Sequence, residues 1–218
     1  MCGARAGATA VCAACEESLP RHTSTHCPVC ALPTPDAQHC GQCLRRPPHF
    51  DATFAVFSFE HPVREMVHAL KFGAVFAMRG VLARGLVAVV QEAAAVGQLQ
   101  VDCIVPMPLH RERIAERGFN QAMELARDVS RVLDVPVRPQ LVVRDSNTGH
   151  QAGLPLRQRR KNLRGAFRCV EPLAGLRVLV IDDVMTSGAT LNELARSLKL
   201  AGAAHVTNLL VARTLRSQ

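Results

Sequence analysis

The chain has no tryptophan and no tyrosine, and only eight phenylalanines among its 218 residues. A surface that grips single-stranded nucleic acid by stacking bases on aromatic rings would have to rely on phenylalanine, histidine or arginine. Long apolar runs are also missing. The most apolar stretch, Val81 to Val96, is interrupted by Arg84, Gln91 and Glu92, which marks an amphipathic helix, so no membrane insertion is expected. The N-terminus shows no basic region followed by an apolar core, so secretion is not expected and a cytoplasmic location is. Acidic residues are in deficit, 18 against 26 lysines and arginines, giving a formal net charge of +8. Such a balance suits anionic company: phosphates, a nucleotide-like ligand or nucleic acid. Arginine-rich surfaces also serve solubility alone.

Cysteine is scarce after residue 43, where only Cys103 and Cys169 occur, in surroundings that suit buried structural thiols. The other seven crowd into the first 43 residues, and the composition changes after "CLRRPPHFD". Two regions are therefore expected, a cysteine-rich region over 1–48 and an α/β domain over 49–218. Cys27-Pro-Val-Cys30 and Cys40-Gly-Gln-Cys43 are CxxC pairs nine residues apart, able to close a tetrahedral four-thiolate shell around a structural Zn²⁺. Disulfides are the alternative, which a reducing cytoplasm disfavours. His22, His26 and His39 lie close enough in sequence to substitute as ligands. Cys12-Ala-Ala-Cys15 is a third pair with no partner, and Cys2-Gly3 reads as the back half of a fourth. The expectation is a chain cut short relative to its relatives, with a second site left with three thiolates.

Beyond Asp51 the hydrophobic periods alternate between strand and helix. "ATFAVFSF" is strand-like; Val63, Met66, Val67 and Leu70 recur at helical spacing up to "LKFG", where Gly73 can cap. "DCIVPMP" is a short buried strand, and Ala122, Leu125, Ala126, Val129 and Leu133 stripe a helix. "RVLVIDD" is apolar enough to be buried on both faces, as in a parallel sheet. Leu191, Leu194, Ala195 and Leu198 stripe the next helix, which ends at Gly202, and "HVTNLLVA" is a further strand. This order implies right-handed crossovers and a ligand crevice at the carboxyl ends of the strands.

"VLVIDDVMTSGATL", residues 178–191, lies where that crevice would be. A buried strand, Val178 to Asp182, runs into adjacent carboxylates, a turn bearing hydroxyls and glycine, and a helix. Unpaired N–H groups at such a turn bind phosphate. Gly188 permits close approach, and Thr186, Ser187 and Thr190 add hydroxyl donors. Asp182 and Asp183 repel phosphate but accept hydrogen bonds from vicinal hydroxyls. A sugar with a terminal phosphate and a free diol satisfies both halves. The competing readings are an acid pair holding Mg²⁺, as in receiver domains or phosphatases, which needs further acids, and a merely solvated turn.

The segment resembles the phosphoribosyl-pyrophosphate motif of type I phosphoribosyltransferases. The CxxC pairs, "LKFG", "VPMPLHRERIAERGFNQA" and "TGHQAGLPLRQRRKNLRGAF" extend the resemblance over nearly the whole chain to the ComF family of competence-related, amidophosphoribosyltransferase-like proteins. Ser187 stands where a second threonine is common, and keeps the hydroxyl. The resemblance implies a parallel-sheet type I phosphoribosyltransferase domain with a small N-terminal zinc ribbon. It implies 5-phosphoribosyl 1-pyrophosphate as ligand, with Mg²⁺. Asp182, Asp183 and Lys71 become the catalytic candidates. Thr186, Ser187, Gly188, Ala189, Thr190, Phe72 and Arg117 join them as donor-binding candidates. Lys71-Phe72-Gly73 resembles the pyrophosphate loop, and Asn120 is expected as a helix N-cap or a polar ligand, beside Arg111, Arg113 and Gln121. "RDSNTGHQAGLPLRQRRKN" resembles the loop that closes over the donor, with Thr148, Gln151 and Arg157 meeting the ligand. The acceptor would fall to a hood built from the segment before or around Asp51 to Phe59 together with the zinc region. Arg159, Arg160, Lys161 and Arg164 are candidates for single-stranded DNA, and the family implies a helicase-like uptake partner. Three functions follow: an active phosphoribosyltransferase, a non-catalytic donor-sensing or DNA-binding adaptor, and a fold relic whose site is only structural.

Overall fold

The computed structural model describes residues 11–72, 76–145 and 163–215. Its centre is a four-stranded sheet in the order β1-β6-β5-β2, with every neighbouring pair parallel. The strands are β1 (Ala52–Ser58), β2 (Cys103–Pro106), β5 (Arg177–Met185) and β6 (His205–Arg213). β3 (Val142–Arg144) and β4 (Phe167–Cys169) form a separate antiparallel ribbon. Two short helices, α1 (Ala13–Glu17) and α2 (Gly41–Arg45), precede the sheet. The later helices are α3 (Val63–Phe72), α4 (Phe76–Ala95), α5 (Arg111–Arg117), α6 (Gln121–Leu133) and α7 (Ala189–Leu200).

Side chains of successive strand residues point to opposite faces, and the apolar core divides accordingly. Leu179, Ile181, Leu209 and Val211 pack with Leu70 of α3, Leu86 of α4 and Leu125 of α6. Val178, Val180, Val206 and Leu210 pack on the other face with Leu194 and Leu198 of α7. Both faces are covered, which is why these strands read as continuous apolar runs. The helical stripes expected at Val63, Met66, Val67 and Leu70, and at Ala122, Leu125, Ala126 and Val129, are the buried faces of α3 and α6.

One expectation changes. The strand expected to stop at Asp182 runs on to Met185, because β6 is long enough to pair it through Asp182↔Leu210, Val184↔Ala212 and Met185↔Arg213. The two carboxylates thus sit inside a paired strand and leave it on opposite faces. Within the segment around Asp51 to Phe59, residues 52–58 form β1, the edge strand paired with β6. The free edge of β1 is met by the N-terminal region, where His22 N–H donates to Val56 O at 2.9 Å and Ser58 N–H to Pro20 O at 2.9 Å. Among the described residues, no helix is long and apolar enough to cross a membrane.

Candidate functional site

Asp183 faces α3 and α6. It is 4% exposed, with one carboxylate oxygen 2.8 Å from Lys71 Nζ and accepting from Gln121 Nε2 at 3.0 Å. Its other oxygen accepts from Val184 N–H at 2.7 Å. Gln121 in turn accepts from Arg117 Nη1 at 3.2 Å, so a polar chain runs Arg117–Gln121–Asp183–Lys71. Asp182 leaves the opposite face and accepts the Asp183 N–H at 2.8 Å. Burial, then the neighbouring Asp183 charge, pushes its carboxyl up to about 7, against the pull of Lys71 and Arg144.

The turn after β5 places Thr186 and Ser187 at the surface and Gly188 at the start of α7 with φ +74°, a left-handed conformation that favours glycine. Ser187 Oγ accepts from Ala189 N–H at 3.4 Å. A cavity of about 230 Å³ lies beside the acids and this turn. Four cationic side chains line it, Lys71, Arg113, Arg117 and Arg144, together with both aspartates and the turn through Thr190. Burial lowers the pKa of Arg117 and of Arg144, and the Arg113 charge lowers both further. Anionic groups relieve such crowding. The site therefore offers carboxylates for hydroxyls, N–H groups for a phosphate, and a ring of cations for further negative charge.

The family described as phosphoribosyl transferase domain matches residues 114–215. The chain is 35% identical to the DNA utilization protein YhgH of Escherichia coli (strain K12), over 94% of this chain and 91% of that protein. It is 36% identical to competence protein F of Haemophilus influenzae, over 76% of this chain and 74% of that protein. The chain belongs to the ComF family. Competence protein ComFC of Bacillus subtilis is 26% identical over 89% of this chain and 80% of that protein. The parallel sheet with its flanking helices is the phosphoribosyltransferase-type core of this ComF-family chain.

Of the residues expected at the site, the structure brings together Asp182, Asp183, Lys71, Arg117 and the turn Thr186, Ser187, Gly188, Ala189 and Thr190. Asn120 lies at the N-cap of α6: its Oδ1 accepts from Ala122 N–H at 3.0 Å and its Nδ2 donates to Met107 O at 3.1 Å. Both ends of its amide are thus committed to backbone. Arg164 is exposed. Cys2, Gly73, Thr148, Gln151, Arg157, Arg159, Arg160 and Lys161 lie outside the described residues, as does the Phe72 side chain.

Two contributors carry more than the sequence showed. Gln121 reads as the first residue of a helix, and only the fold reveals that its amide bridges Arg117 to Asp183. Arg144 ends the short strand β3, with its guanidinium 5.5 Å from the centre of the Phe167 ring, and its signal in sequence was only a lone cation after "LVV".

The cysteine region of this ComF-family chain holds a second candidate centre. The ligand atoms of Cys27, Cys30, Cys40 and Cys43 all lie within 4.8 Å of one another, with 3.5 Å between the sulfurs of Cys30 and Cys40. That separation is too long for a disulfide and suits four ligands sharing one ion. Burial together with the neighbouring thiols pushes Cys30 up to about 11 and Cys43 higher still, whereas at Cys27 burial is outweighed by backbone hydrogen bonds from Cys40, Cys30 and Val29 that bring the thiol down to about 7. Thiols crowded in this way ionise together only around a cation. Among the described residues this is the one such group, and His22, His26 and His39 are not part of it.

Between the two centres lies a larger cavity, of about 570 Å³. Its walls include Cys43, Arg45, Arg46 and Phe50, and, from the far side of the turn, Ser187, Gly188 and Ala189.

Proposed function

We propose that this protein binds 5-phosphoribosyl 1-pyrophosphate in the smaller cavity and transfers its phosphoribosyl group to an acceptor, in the service of DNA uptake or utilisation. The observation that carries the reading is the pairing of Asp182 and Asp183 with a positive-φ turn inside a pocket lined by four cations. The names of the relatives, DNA utilization protein and competence protein, supply the cellular setting.

The residues divide the work. The turn Thr186–Thr190 receives the 5-phosphate on its N–H and hydroxyl groups. Asp182, whose carboxylate makes no ion pair among the described residues, accepts the ribose diol. Asp183 keeps Lys71 and the Gln121–Arg117 pair in place. An acceptor nucleophile forms a bond to C1 as the bond from C1 to pyrophosphate breaks, and the departing charge develops toward Lys71, Arg113 and Arg117. Preorganised cations lower that barrier without reorganising during the reaction. Mg²⁺ bound with the donor, within reach of Asp182 and Asp183, would add positive charge at the leaving group. The larger cavity, sharing the turn as a wall, is where the acceptor is assigned. Residues 1–48 are read as a zinc ribbon, with structural Zn²⁺ on Cys27, Cys30, Cys40 and Cys43, and residues 49–218 as the transferase-type domain.

Calorimetry with the donor and Mg²⁺ tests the binding. Saturable heat is expected, with affinity lower by at least about tenfold in Asp182→Asn, the scale of one charged hydrogen bond. Asp183→Asn is expected to weaken binding by releasing Lys71. A wild-type chain that takes up no donor defeats the proposal and leaves the site structural. A screen for pyrophosphate release over bases and amines then separates turnover from binding. Donor binding with no release favours the second reading, an adaptor that senses the donor and holds single-stranded DNA beside a helicase-like partner. Its support is the engagement of both Lys71 and Gln121 with Asp183, together with the basic stretch from Arg157 to Arg168.

A further inference from the structure

Arg213 closes β6 and is 3% exposed, yet among the described residues it makes no ion pair with a carboxylate; its Nε and Nη1 donate to carbonyl oxygens. Nε donates to Cys30 O at 2.9 Å. Nη1 points the other way, to Met185 O at 3.0 Å, Thr186 O at 2.6 Å and Thr214 O at 2.8 Å. One guanidinium thus spans two centres. Cys30 is a member of the four-cysteine group, and Met185–Thr186 is the backbone from which the phosphate-type turn springs.

A buried cation without a counter-ion is costly. Four thiolates around a divalent cation keep a double negative charge, so the filled cluster supplies the missing counter-charge. Empty, the cluster has thiols that repel when ionised, and the Cys30 turn loses its reason to hold its carbonyl toward Arg213.

We propose that Arg213 is a positioning residue that ties the 185–186 backbone to the cysteine cluster, so that a divalent metal there and a phosphate ester at the turn support each other's binding. The phosphate half of this linkage rests on the reading given under Proposed function. The guanidinium fork is rigid and donates in two directions. A lysine at 213 keeps the charge but concentrates its donors on one nitrogen, and does not bridge Cys30 to Thr186.

The test uses full-length wild type and Arg213→Lys, both loaded with Zn²⁺. Ribose 5-phosphate is expected to slow transfer of zinc to a chromogenic chelator by about fivefold or more in wild type, since binding linkage is reciprocal. In Arg213→Lys the ratio falls toward one while zinc still binds. Independently of any ligand, stripping zinc from wild type is expected to speed amide exchange across residues 186–190 by about fivefold or more, the same linkage read at the turn. Wild-type exchange at 186–190 that ignores zinc overturns the proposal, as does undiminished linkage in Arg213→Lys. A chain that takes up no Zn²⁺ overturns it too. If the variant does not fold, the wild-type exchange measurement decides. Failure of ribose 5-phosphate to bind wild type defeats the transferase reading instead, and leaves the exchange measurement to judge the tie.

Discussion

At the scale of single residues, the functional tension concentrates in Asp182. Its carboxyl is held up to about 7 by burial and by the charge of Asp183, against an ordinary value of 3.8. The folded chain therefore keeps a proton there that the unfolded chain has released, and stability falls as pH rises wherever the native state binds more protons. The contribution is fully present below about 4 and is lost as pH rises through about 7. Asp182→Asn removes this ionisation. At pH ~8 the variant is expected to unfold at higher denaturant concentration than wild type, by roughly 1–3 kcal/mol, with the gap closing near pH ~4. Donor affinity in wild type should climb through the same window, because the ionised carboxylate is the form that accepts hydroxyls. Equal pH profiles for the two proteins would show that the raised acid does not govern either property. The acid pair and the hydroxyl turn were legible in sequence because they are contiguous. Arg144 and Gln121 were not, since nothing local to "LVVRD" or "NQAMEL" says which face of the sheet they will meet.

At the scale of elements, hydrophobic periods located the strands of the parallel sheet and most helices, but not where β5 ends. Acidic residues read as a strand terminus, and pairing with β6 overrode that local signal. The β3–β4 ribbon was also hidden, because three-residue strands carry too little pattern. Helix α4 contains a detail that its apolar composition obscures. A Cβ at Gly85 would lie 2.6 Å from Val56 Cγ1 and 3.2 Å from Phe57 Cε2, so this glycine lets α4 press on β1. Alanine normally favours a helix over glycine by about 1 kcal/mol, but overpacking costs about 1–3 kcal/mol. Gly85→Ala is therefore expected to destabilise by about 1 kcal/mol. Gly80→Ala on the same helix, where a Cβ would meet only the Arg84 guanidinium at 3.6 Å, should stabilise by about 0.5–1 kcal/mol. Urea melts of the two variants check the opposite signs. Stabilisation by both would mean that helix propensity, not the approach to β1, sets the outcome.

For the molecule as a whole, cysteine distribution and net charge were the two readings available without a fold. The first located the four-thiol cluster but could not show that Cys27, Cys30 and Cys43 pack into the same apolar layer as α7. That contact depends on chain segments more than a hundred residues apart meeting at the sheet. The second, a formal +8, separates two roles that share one surface chemistry. A compact phosphorylated sugar is satisfied by the few cations of the smaller cavity, whereas a single strand needs a track of them. The candidate track is Arg159, Arg160, Lys161 and Arg164. For single strands, log affinity falls with log salt by about 0.7 per phosphate neutralised. Replacing all four by glutamine should therefore flatten the salt dependence of single-stranded DNA binding by about 3 and weaken it for every sequence alike. The substitutions leave Asp182, Asp183, Arg117 and the 186–190 turn intact, so calorimetric donor affinity at fixed salt is expected to persist. Fluorescence anisotropy across a salt series gives the slope. An unaltered slope means the positive charge of this segment serves something other than a nucleic-acid strand, and the adaptor reading loses its physical basis.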